Sequence, residues 1–105
     1  MDHKNIVKLL WQRSEQALIA LADAFGLRLK RTAINILTNP QDAEEAVNDT
    51  YLALWNQIPP EQPDPLEGYV YMTGKNIALK MLRYRNAQKR SAYIVSLDEL
   101  AQILL

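Results

Sequence analysis

QDAEEAVNDTYLALW, residues Gln41 to Trp55, places two unlike faces on one helix. Advancing about 100° per residue, it gathers Ala43, Ala46, Val47, Thr50 and Leu54 on one side, the stripe an amphipathic helix turns toward its own core. The opposite side carries Glu44, Glu45, Asn48, Asp49 and Asn56, with Leu52 at its centre and Trp55 at its edge. Carboxylates ringing an apolar centre suit docking of a basic partner. A solvated acidic helix with one stray leucine fits the pattern equally well, since single exposed apolar residues are ordinary.

Working outward, the flanking stretches also read as helices. Ile6, Val7, Leu9, Leu10 and Trp11 form a short apolar run within Asn5 to Gln12, and Ser14 is expected to cap a new helix. From Glu15 to Leu37, apolar positions Leu18, Leu21, Ala22, Phe25, Leu29, Ala33, Ile36 and Leu37 recur at helical spacing, with Gly26 an expected weakness or bend. Asn39-Pro40 and Asp64-Pro65 each set a capping residue before a proline that suits the first helical position, where its missing N–H costs nothing. Glu67 follows Asp64, and Glu99 follows Ser96, at capping-box spacing. IPPEQPDP, residues 58–65, is too rich in proline to continue a helix and is expected to be an extended, stiff loop. There is no alternating strand pattern. The expected fold is all-α: a compact bundle of about four to five helices, with the Pro-rich loop between the last two main ones.

The last main helix is expected from Leu66 to about Arg90, burying Leu66, Val70, Gly74, Ile77, Ala78, Met81 and Tyr84, with Gly74 allowing close helix approach. On its other side Tyr69, Asn76, Arg83 and Arg90 align in steps of seven, flanked by Met72, Lys75 and Lys80. An aromatic ring stacks on an unpaired base, an amide reads a base edge and cations neutralise phosphates. A merely solvated basic face is the competing reading.

Composition sets the limits. With 105 residues, 49% of them apolar, the chain makes one modest domain with a core. Without cysteine it has neither a disulfide framework nor a thiolate metal site. No apolar run reaches membrane-spanning length, the N-terminus is too charged for a signal peptide, and the cytosol is the default location. Twelve basic residues balance twelve acidic ones, yet no Lys or Arg falls between Arg31 and Lys75, and no acid between Glu67 and Asp98. An acidic helix followed by a basic one can meet two partners of opposite charge, or the two can pair with each other. No phosphate-cradling glycine loop, no nucleophile paired with histidine and no metal-ligand spacing points to an enzyme, a metal or a cofactor. His3, near a terminus, is given no role.

Asp42-Ala43-Glu44-Glu45-x-Val47-Asn48-Asp49-Thr50-Tyr51-x-x-x-Trp55 resembles the core-polymerase-binding helix of bacterial sigma factors, most closely the extracytoplasmic-function group. Asn48 stands where Gln is usual there and Tyr51 where Phe is usual. From about Ile6 to Leu100 the order of elements looks like the second conserved region of such a factor. The resemblance implies that Asp42, Glu44, Glu45, Asn48, Asp49, Leu52 and Trp55 bind the clamp coiled coil of the large subunit of RNA polymerase.

PLEGYVYMTGKNIALKMLRYRNAQKR resembles the promoter-melting helix, with Tyr69 where Trp is usual and Asn76 at the family's recurrent asparagine. Met72, Thr73 and Gly74 replace a common Arg-Ile-Ala, so one expected cation is missing. The resemblance implies that Tyr69, Met72, Lys75, Asn76, Lys80, Arg83 and Arg90 meet the minus-ten non-template strand, that the 58–65 loop helps enclose a promoter base, and that an anti-sigma factor is a further partner. It divides the chain into a domain at 1–95 and, at 96–105, the start of a linker toward a second DNA-binding domain, so upstream promoter reading is not expected from these residues. The alternative from a different class is an all-helical protein-interaction module whose basic face is only solvated. A helix-turn-helix repressor is disfavoured by the long Pro-rich break.

Overall fold

The computed structural model describes residues 1–104 and contains four helices: α1 (His3–Trp11), α2 (Gln16–Leu37), α3 (Pro40–Gln57) and α4 (Leu66–Leu104). All-α architecture is as expected. Helices α2, α3 and α4 pack against one another, and α1 closes one end. At that end Ile6, Leu10, Leu21, Phe25, Leu29, Leu54, Ile58, Leu66 and Val70 form the larger core cluster. At the other end the buried residues are mostly small, with Ala33, Ala43, Ala46 and Ala78 around Leu37. Small side chains there let three helix backbones come close.

Gly74 lies where the three helices meet. A Cβ there would come within 2.6 Å of Leu29 Cδ2 and 3.4 Å of Thr50 Oγ1, so the expected close approach is what the glycine allows. Gly26 does not interrupt its helix; α2 runs unbroken through it, and a Cβ would come within 2.9 Å of the Tyr51 hydroxyl. Thr50, the one polar residue in the core stripe of α3, satisfies its hydroxyl by donating to Ala46 O at 2.7 Å.

Helix ends agree with the sequence in one case and depart from it in three. Asn39 Oδ1 accepts from the N–H groups of Gln41 and Asp42 at 2.9 and 3.1 Å, with Pro40 opening α3. Ser14 caps nothing: its N–H bonds to Leu9 O and that of Arg13 to Leu10 O, with Arg13 at φ 57. That is a Schellman ending for α1, with arginine where glycine is usual. Helix α4 starts at Leu66, so Pro65 precedes its first residue rather than occupying it.

Ser96 and Glu99 form no capping box, because α4 continues past Arg90 to Leu104. SAYIVSLDELAQIL contains no Gly or Pro to stop a helix. The 95/96 position therefore lies inside α4, and Leu105 lies outside the described residues.

Two side chains expected inside are outside. Ala22 is exposed, its place in the packed face of α2 taken by Ala17 and Ala20. Tyr84 is 67% exposed, because at this turn of α4 it is Arg85, not Tyr84, that faces the α2–α3 corner. Residues 86–104 project from the bundle, and Leu97, Leu100, Ile103 and Leu104 do not pack back on it. A helix of 39 residues spans about 58 Å at about 1.5 Å per residue, which accounts for the 67 Å long axis. The same projection makes the radius of gyration 18.6 Å rather than the roughly 13 Å of a compact domain of this size.

Candidate functional site

On α3, packing of Ala43, Ala46, Thr50 and Leu54 into the core turns Glu44, Glu45, Asn48, Asp49 and Leu52 outward together. Leu52 is 58% exposed at the centre of the carboxylates, whereas Leu54, two residues on, is fully buried. The face extends onto a second helix: a shallow groove of about 420 Å³ is lined by Glu15, the residue before α2, and Leu18 of α2 with Asn48, Tyr51, Leu52 and Trp55 of α3. Glu15 and Leu18 could not be assigned to this face from sequence, since their nearness to Leu52 exists only after α2 and α3 pack.

The two ends of the face differ from its middle. Asp42 Oδ2 accepts from Arg85 Nη1 at 2.8 Å, and Arg85 Nη2 also donates to Leu37 O at 2.9 Å. The guanidinium thus bridges the C-terminal end of α2 and the first turn of α3, both favourable places for these charges. Asp42 is engaged within the chain, which separates it from the other acids expected on the docking face. Trp55 is half-buried, its ring covered by the Arg13 guanidinium at 3.9 Å.

On α4, burial of Leu66, Val70, Gly74 and Ala78 leaves Met72, Lys75, Asn76, Lys80, Arg83 and Arg90 exposed. Arg83 and Arg90, with Asn86, Ala87 and Lys89, line one shallow basic groove. Arg85 is withdrawn from the basic set by its bonds to Asp42 and Leu37 O, so this part of the charge pattern is self-pairing. Tyr69 is half-buried and donates from its hydroxyl to Gln57 Oε1 at 2.7 Å, which ties α4 to the end of α3.

Burial raises the Tyr51 hydroxyl above its ordinary value, and burial followed by the negative charge of Glu61 raises Tyr69. The folded chain therefore holds both protons more tightly than the unfolded one. Stability linked to them is complete below the ordinary value of 10.0 and falls as pH rises past it. Ultraviolet titration of tyrosinate, run beside thermal melts, is expected to show flat midpoints from neutral pH to near that value and loss above it.

The loop at 58–65 is not extended throughout. It opens with a turn closed by Glu61 N–H to Gln57 O at 3.0 Å. Its first half is held from the α1–α2 junction, by Arg13 Nη1 to Trp55 O and Ile58 O at 2.7 and 3.0 Å and by Trp11 Nε1 to Glu61 O at 3.1 Å. His3 packs its ring 4.9 Å from that of Phe25, an aromatic contact inside the fold.

Residues 21–88 match the Sigma-70 region 2 family. The chain belongs to that family. Comparison with curated proteins and with solved structures gives no match. Region 2 is a sigma-factor domain of transcription initiation, which binds core RNA polymerase and promoter DNA at the minus-ten element and is not an enzyme class. Both faces described above lie largely within the matched region; α1, the α1–α2 junction and the projecting end of α4 lie outside it. No helix among the described residues is long and apolar enough to cross a membrane.

Proposed function

We propose that this region 2 belongs to a sigma factor of the extracytoplasmic-function group, working in the cytoplasm. Glu44, Glu45, Asn48, Asp49, Leu52 and Trp55 dock on the basic clamp coiled coil of the large polymerase subunit. Tyr69, Met72, Lys75, Asn76, Lys80, Arg83 and Arg90 engage the minus-ten non-template strand, and the 58–65 loop helps enclose a base. An anti-sigma protein covering one or both faces is the further partner. The domain proper is 1–95, with 96–105 leading toward a second DNA-binding domain. The observation that carries this reading is the placement of two unlike faces on one bundle: the acidic face with Leu52 at its centre is on α3, and the amide-and-cation stripe is on α4. Asp42 is better assigned to the Arg85 ion pair than to polymerase.

Fluorescence anisotropy of the chain bound to core polymerase, on labelled non-template strands, tests the DNA side. The preferred strand is selected from a randomised minus-ten pool and compared with a scrambled one. Asn76→Ala is expected to cost about 1–3 kcal/mol on the preferred strand, little on the scrambled strand, and nothing in salt slope. Arg83→Ala is expected to weaken both strands alike and to flatten the log–log salt slope by roughly 0.7. Equal loss on both strands for Asn76→Ala would remove base reading from this helix.

A further inference from the structure

Beyond Ile58, which is buried in the core, residues 59–65 of the loop are half-buried or exposed. Beneath its second half an open cavity of about 310 Å³ separates Gln62, Pro63 and Asp64 from His3, Lys4 and Val7 of α1. The loop's first half is rooted by Ile58 in the core and by the Glu61 N–H to Gln57 O turn, and is held from outside by Trp11 and Arg13, at the junction between α1 and α2. Both lie outside the stretch that matches the family.

Helix α3 ends with no basic residue in its last turn, leaving its terminal carbonyls without a cation from their own helix. Arg13 supplies one from another element. Its guanidinium reaches Trp55 O and Ile58 O and sits over the Trp55 ring. To do so the residue occupies the left-handed region at φ 57, where a side chain is normally disfavoured and glycine is the usual choice. Trp11, although 42% exposed, directs its indole N–H onto the Glu61 carbonyl three residues further along.

We propose that Trp11 and Arg13 are positioning residues for promoter binding: a two-point clasp, built outside the matched family region, that holds the 58–65 loop in the shape that encloses a base. The inference rests on the proposed function. The clasp touches no DNA. It acts by keeping the binding-competent loop populated, and apparent affinity falls in proportion when that population falls. It also links the two faces, because Arg13 packs on Trp55 at the edge of the docking surface while bonding the root of the loop.

Trp11→Phe removes the donor and keeps a ring. Arg13→Asn removes the guanidinium with a residue that tolerates left-handed backbone. Two measurements are made on the full chain. The first is the rate of cutting at Glu61–Gln62 by a glutamyl-specific protease, expected to rise in both variants. The second, with core polymerase bound, is affinity for the selected minus-ten strand and for its scrambled counterpart.

Trp11→Phe is expected to lower affinity for the selected strand about two- to tenfold, the range one net hydrogen bond supplies, while leaving the scrambled strand and polymerase capture unchanged. Arg13→Asn, losing two bonds, is expected to lower it further. A merely structural role would lower capture and both strands together in Trp11→Phe, whose side chain is not part of the docking face, and that result overturns the proposal. So do unchanged cutting, and faster cutting with unchanged strand preference. A parent chain that captures no polymerase defeats the functional reading itself, whereas a parent that captures and discriminates while both variants match it defeats only the clasp.

Discussion

Leu52→Arg is expected to weaken capture of core RNA polymerase by about thirtyfold or more, the loss of about 2 kcal/mol that marks a central interface residue. The side chain sits at the middle of the Glu44, Glu45, Asn48 and Asp49 face, with more than half its surface free. A cation there replaces apolar contact and meets the basic coiled coil with like charge, so two terms act in the same direction. Leu52 is not one of the buried core residues, so helicity and melting midpoint should stay near the parent's. Pull-down with core polymerase, alongside circular dichroism melts, decides it: a folded variant captured as well as the parent removes this face from polymerase binding.

Leu54→Ala, two residues away, is expected to do the opposite. Leu54 is fully buried in the cluster with Leu21, Phe25, Ile58 and Val70. Truncating a leucine in such a place costs about 2–5 kcal/mol, part lost transfer energy and part cavity. Against the roughly 5–15 kcal/mol that holds a domain together, this should lower the melting midpoint by about 10 to 30 °C. Denaturant melts should show a lower midpoint with little change in slope. Below its midpoint the variant should still capture polymerase, because the exposed face is unaltered; full stability in Leu54→Ala would mean that α3 does not pack through this stripe.

The contrast between these two leucines shows how much of the site was legible beforehand. Helical period alone assigns Leu54 to the core and Leu52 to the opposite side. Period also separates the buried Val70, Gly74 and Ala78 from the exposed Asn76 and Arg83. It works because each decision depends only on residues three or four apart. It failed for Tyr84, because at that turn of α4 the position facing the α2–α3 corner is taken by Arg85.

What the chain determines by itself, then, is its helices, the Asn39-Pro40 start of α3, the two faces and the family motif, all carried by local spacing and by residue types that act within a few positions of one another. Tertiary structure alone decided the charge assignments and the loop. Arg85 and Asp42 are 43 residues apart, and whether the acidic and basic helices meet separate partners or each other is open in the sequence; packing of α4 on the α2–α3 corner pairs these two. Arg13 reaches Ile58 across 45 residues, and Trp11 reaches Glu61 across 50. No periodicity announces such pairs, and a Schellman turn with arginine in place of glycine hides the one local signal. Which of several like-charged side chains is free to meet a partner depends on which carbonyls and carboxylates the fold brings within hydrogen-bond reach, and only the assembled bundle supplies that.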